Sequence, residues 1–378
     1  MTVRPRHTAL LAVVAAAASL AVAACSPPSD NGSGSSDSGA DKAKTATSAA
    51  DLGGMDALVA AAKKEGTLNV IALPPDWANY GAIISAFGTK YGIEVNSAQP
   101  DASSADEISA ANRLKGQGSA PDVFDLGAAV AAANTTMFAP YKVATFDSVP
   151  TDLKDANGTW VNDYGGYMSV GYDSSKVPAP TSLADLLKPA YKGKVALNGD
   201  PTKAGAAFAG VQMASIANGG TAGDVTKGVD FFKQLKKAGN FIPVDPTPAT
   251  IASGQTPVVI DWDYLNAAQT AKVPTWKVYV PDGAVVAGYY VQAVSKDAPH
   301  PAAARLWQEF LYSDEGQNLW LKGGARPVRF DDMKKAGTLD ATAAAALPPV
   351  TGTPVVPTSA DADTAKAYLT KEWANAVG

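Results

Sequence analysis

From Thr67 onward, apolar residues come in short runs that alternate with stretches where they recur at helical spacing. Residues 68–73 read as a buried strand stopped by Pro74-Pro75, and 80–91 as a helix with Ile83, Ile84 and Phe87 on one face. A strand at 93–95, a polar-faced helix at 103–116, a strand at 122–126 and an alanine-rich helix follow. The alternation then restarts. Strands are expected at 166–172, 194–197, 257–260, 276–280 and 284–294, with helices at 203–216, around Val225, Val229 and Phe232, and at 300–312. A proline-rich stretch, 347–357, precedes a last helix at 361–376. Short strands separated by helices imply parallel βαβ units and open α/β sheets. A chain of 378 residues exceeds what one compact core usually holds, so two lobes are expected.

The N-terminus departs from this pattern. Residues 1–24 pair Arg4 and Arg6 with an apolar stretch too short to span a bilayer comfortably, which is the layout of a signal peptide. The stretch ends Val22-Ala23-Ala24-Cys25, which resembles the lipobox of bacterial lipoproteins. That resemblance implies that the Cys25 thiol is acylated and becomes the mature N-terminus, holding the protein on the extracytoplasmic face of the cell membrane. Ser26-Pro27-Pro28 ends any helix at once, and 25–51 lacks apolar periodicity, so it reads as a flexible tether.

Composition narrows the classes of function. At 46% apolar and 18% charged residues, the chain is neither disordered nor a multi-span membrane protein. Past residue 24 it holds 36 acids against 29 bases with no basic stretch, which argues against nucleic acid as a partner. Cys25 is the only cysteine, so disulfide frameworks and cysteine-built metal sites are excluded, and His7 and His300 leave little room for imidazole catalysis. Nucleophile-elbow, SxxK, HExxH, P-loop and GxGxxG motifs are absent, and nothing indicates a catalytic cofactor or a metal site. An exported hydrolase that needs only two carboxylates passes this search and stays open.

Several segments resemble one family. Ala298-Pro299-His300-Pro301-Ala302-Ala303-Ala304-Arg305-Leu306-Trp307, then Phe310-Leu311 and Ser313-Asp314-Glu315-Gly316-Gln317, are similar to a segment of the periplasmic-type solute-binding proteins of ABC importers. Residues 55–73, Pro121-Asp122-Val123-Phe124, 183–195 with its Pro189-Ala190-Tyr191-Lys192-Gly193-Lys194, and Gly324-Ala325-Arg326-Pro327-Val328 agree with the branch that holds iron(III), thiamine and polyamine binders. The resemblance implies a two-lobed periplasmic-binding-protein (type II) fold, α/β, with a cleft between two open mixed sheets. Lobe one would comprise 52–166 and 287–330, and lobe two 167–286; the place of 331–378 is left undecided. It also implies a monomer that delivers a small solute to a membrane permease and its ATPase.

Open α/β sheets bind ligands beyond the carboxyl ends of their strands. That rule selects Trp77 and Tyr80 after the first strand, Asp125 at the end of the third, Asp200 before a helix start, and Asp261, Trp262 and Tyr264 after the 257–260 strand. Tyr289 is the choice from the Tyr289-Tyr290 pair, whose members face opposite ways along a strand. Asp125 and Asp200 could equally serve as helix caps. Several carboxylates and rings with one nearby lysine, Lys203, suit an organic cation such as a polyamine or a thiamine-like amine. Ferric iron, an aminoalkylphosphonate or a sugar are the alternatives for the same fold.

Overall fold

The computed structural model describes residues 39–378. Cys25 and the first part of the expected tether lie outside them. Among the described residues, ten strands form the sheets: β1 (Thr67–Ile71), β2 (Glu94–Ala98), β3 (Val123–Gly127), β4 (Phe138–Ala139), β5 (Val161–Asp173), β6 (Val195–Leu197), β7 (Val258–Trp262), β8 (Trp276–Tyr279), β9 (Ala287–Ser295) and β10 (Arg326–Pro327).

Two strands organise the body. Residues 161–167 of β5 pair with β9, which in turn pairs with β3 and β4. From Met168 onward β5 changes partners and lies between β7 and β8, with β6 added beyond β7. One long strand is thus shared by two sheets, each wrapped in helices, and the molecule is a two-lobed α/β body with β5 and β9 as the crossovers. At the crossover the backbones meet closely: a side chain on Gly165 would run into the carbonyl of Gly288, so glycine is required there.

The expected parallel βαβ arrangement holds only in part. β1 with β2 and β6 with β7 are parallel, whereas every pairing made by β5 and β9 is antiparallel. The cause is the crossing itself: a strand that leaves one lobe and a strand that returns run in opposite directions.

Apolar periodicity explains the helices. Helix Gly205–Ala217 is buried on nearly every side because it is sandwiched between the β5–β7 sheet and helix Thr226–Lys237. Helix Thr226–Lys237 turns Val229, Phe232 and Leu235 inward and its lysines outward. Helix Pro301–Leu311 is buried along its whole length.

Residues 42–51 correct the tether. Ala43 and Ala46 are buried, and the wholly buried Arg305 donates to the carbonyls of Lys44 (2.9 Å) and Ala46 (2.8 Å). The Lys142 amide donates to the Thr47 carbonyl (2.7 Å). A guanidinium taken out of water must have acceptors, and this segment supplies two of them. Burial still pushes the Arg305 pKa down to about 10.

The C-terminal extension spans both lobes. Its helix Ser359–Val377 buries Ala365, Leu369 and Trp373, and the Trp373 ring meets Phe232 at 5.3 Å. The same helix packs on helix Ala128–Ala133, which follows β3. Just before it, the Val355 amide donates to the Val285 carbonyl (2.7 Å), and Val355 accepts from Ala287 at the start of β9 (2.9 Å). No helix among the described residues is long and apolar enough to cross a membrane.

Candidate functional site

A cavity of about 630 Å³ lies where the two sheets face each other. The loop after β1 supplies Asp76 and Trp77, and it is strained: Ala72, Ala78 and Asn79 all take left-handed backbone angles without being glycine. Asn79 is held by its side-chain bond to the Leu319 carbonyl (2.7 Å), and Trp77 donates from Nε1 to the Tyr164 hydroxyl (2.8 Å). The strain is therefore maintained by contacts that fix Trp77 over the cavity.

On the same side, β3 presents Asp125. Its Oδ2 accepts from the hydroxyls of Tyr80 (2.8 Å) and Tyr164 (3.2 Å), while Oδ1 is buried with no partner. Glu107 sits behind it and accepts from the Asp125 amide (3.2 Å). Across the cavity, β7 presents Asp261, which accepts from the Asn198 side chain (2.8 Å) and from the Trp262 amide (2.7 Å). The lobes touch at one edge, where Gly127 at the end of β3 and Gly205 at the start of a helix are packed backbone to backbone. An exposed pair, Lys272 with Asp76 (3.8 Å), joins the two lobes at the rim.

The electrostatics are one-sided. Eight carboxylate side chains line the cavity, and Lys203 is the only amine among them. Burial pushes both Asp125 and Asp261 up to about 7, and burial together with the Asp125 charge raises Glu107 well above the carboxylate range. None of these three has a cation beside it among the described residues. Asp263 does, with Arg326 at 2.6 Å, and belongs to the crossover rather than to the cavity.

Of the residues expected from sequence, Trp77, Asp125, Asp200 and Asp261 line this cavity together. Asp200 also closes a turn, with Oδ1 accepting from the Thr202 amide (2.9 Å) and hydroxyl (2.7 Å). Asp125 caps nothing; the Gly127 amide instead donates to Ser104 Oγ (3.0 Å).

Tyr80 and Tyr264 are wholly buried behind the lining, Tyr80 as the partner of Asp125 and Tyr264 edge-on to Trp77 at 6.4 Å. Trp262 and Tyr289 lie on a second cavity. It is Tyr290 that reaches the first one, edge-on to Trp77 (5.8 Å) and stacked on Tyr164 (5.5 Å). His300 is away from the cavity, bonded to Asp122 (2.9 Å), and that hydrogen bond, with the Asp122 charge, raises its pKa.

Sequence reasoning missed Glu107, Asn198, Asp245 and Tyr290. Asn198 was within reach of the strand-end rule, being the first residue after β6. Glu107 and Asp245 come from a helix and a loop, where no strand end marks them.

Comparison with known proteins gives the family and the fold. A family model described as bacterial extracellular solute-binding protein matches residues 120–350. Among solved structures, the chain is similar to the binding protein AgtB of A. tumefaciens R10 in complex with agropinic acid (TM-score 0.66, 16% identity, 82% of this chain and 98% of that one). It is also similar to a periplasmic thiamin binding protein (TM-score 0.63, 20% identity, 82% and 96%) and to iron-bound HitA from Pseudomonas aeruginosa (TM-score 0.59, 21% identity, 81% and 99%). At such identities the likeness is one of fold. No curated protein matches the sequence.

Proposed function

Because the chain belongs to the bacterial extracellular solute-binding proteins, we propose that it captures an organic cation, a polyamine or a thiamine-like amine, for an ABC importer. The observation that carries this reading is the charge of the first cavity: eight carboxylates against one lysine, with Glu107, Asp125 and Asp261 buried and lacking any cation of their own. Unpaired charge is costly to bury, and a bound ammonium group supplies what the protein leaves out. Trp77 and Tyr290 line the same cavity and bring aromatic rings beside that group.

Binding works by population shift. Asp125 comes from one sheet and Asp261 from the other, so a cation that touches both favours the closed arrangement over the open one. A membrane permease with its ATPase then receives the closed form. Lipid anchorage through Cys25 would keep the body beside that permease.

A thermal-shift panel on the chain lacking its first 24 residues tests the reading, with spermidine, thiamine, ferric citrate, an aminoalkylphosphonate and a sugar as probes. A ligand present at about 100 times its Kd adds about 2.7 kcal/mol of stability, worth several degrees. The expected result is a shift with the amines alone; a shift with iron, the phosphonate or the sugar instead overturns the cation assignment.

A further inference from the structure

The second cavity, about 640 Å³, is built on a different principle. Helix Ala128–Ala133 forms one wall with its small side chains, Phe208 and Trp262 form the opposite wall, and Tyr289 projects from β9. The C-terminal extension closes it with Val356 and Lys366. Two features point to an occupant. Only three large apolar side chains are exposed among the described residues, and the most exposed of them, Val356, lines this rim. The charge is also reversed: Lys203 and Lys366 face a single acid, Asp152, and the half-buried Lys366 has no side-chain partner among the described residues.

We propose that this cavity is a second binding site, distinct from the acidic one, for a molecule with flat apolar rings and one negative group. The rings match the aromatic and alanine walls, which gain by shedding water, and the negative group meets the Lys366 amine at the rim. Its walls come from both lobes and from the extension, so an occupant engages all three. The proposal does not depend on the identity of the solute in the acidic cavity.

Anilinonaphthalene sulfonate, a fluorescent ring compound with one sulfonate, is the probe. Titrated into the native chain lacking its first 24 residues, it should bind saturably at one equivalent. Ala129→Trp, which fills the cavity from its small-residue wall, should abolish that binding, and Lys366→Glu should weaken it at least tenfold. Near-UV circular dichroism of each variant establishes that it is folded; Lys366→Glu, a change at the rim, carries the test if Ala129→Trp does not fold. No saturable binding, or a Kd unmoved by Lys366→Glu, overturns the proposal.

Discussion

The two cavities share Lys203, Ala204, Gly205 and Tyr290, yet their chemistry is opposite. One gathers carboxylates, three of which (Glu107, Asp125 and Asp261) burial has pushed toward neutrality; the other is walled by alanines and aromatic rings and carries amines at its edge. The difference lies in what each draws on. The acidic cavity takes its acids from the ends of strands in both sheets, from the loops beside them and from one helix start, where polar side chains can be aimed at a ligand without weakening a core. The apolar cavity takes its lining from helix faces, from β9 and from the C-terminal extension, and such surfaces are apolar because they also pack. The buried acids of the first cavity therefore lower the stability of the empty protein, since buried acids without partners cost free energy. A feature of the second serves packing as well as binding.

Two changes sharpen this contrast. The larger effect is expected from Asp261→Asn, which keeps the shape and, with the Asn198 amide turned so that its oxygen accepts, both hydrogen bonds, but removes one of the two facing charges. Spermidine affinity at pH 8 should fall by about 30-fold, equivalent to about 2 kcal/mol for a buried charge contact, while the melting temperature of the empty protein stays the same or rises. Isothermal calorimetry with a parallel melting curve reads both, and an unchanged affinity removes Asp261 from the site.

A smaller effect is expected from Lys272→Ala at the rim. The Lys272–Asp76 pair is solvent-exposed, so its loss should change spermidine affinity by less than about fivefold, because exposed pairs contribute about 0–1 kcal/mol. A change as large as that of Asp261→Asn would mean that lobe closure, rather than the buried charge, dominates affinity.

Much of the fold was legible in the sequence, and the part that was not has a definite cause. The helix at 80–91 and the terminal helix follow from local periodicity, because each buries one stripe against its own neighbourhood. The antiparallel pairings of β5 and β9 join residues more than a hundred positions apart, and no local pattern encodes direction across such a gap. The family resemblance, not the periodicity, implied mixed sheets.

At the site, the strand-end rule brought Trp77, Asp125, Asp200 and Asp261 to one cavity, since that rule depends only on sheet geometry. Of the pair Tyr289-Tyr290 the sequence reading selects Tyr289, whereas Tyr290 lines this cavity. That choice depends on register, which sets Tyr290 opposite Gly127 and Gln292 opposite Asp125, and register is a tertiary fact. Tyr80 and Tyr264 stand at the expected places in sequence but spend their rings on packing. The tether was misjudged from composition because the buried Arg305 that claims its carbonyls lies some 260 residues away.

In the proposed function a cation is bound by acids which burial holds partly protonated. Asp125 and Asp261 are raised to about 7 in the empty protein, whereas aliphatic amines stay charged until about pH 10. An ammonium group favours the ionised carboxylate, so below pH 7 binding must expel protons, and affinity should rise with pH and level off above about 8. Calorimetry of spermidine binding at pH 6 and pH 8, in buffers of different ionisation enthalpy, measures the affinity and the protons released together. The account predicts at least about tenfold tighter binding at pH 8, with net proton release at pH 6. Equal affinity at both pH values with no proton release, or tighter binding at pH 6, would contradict it.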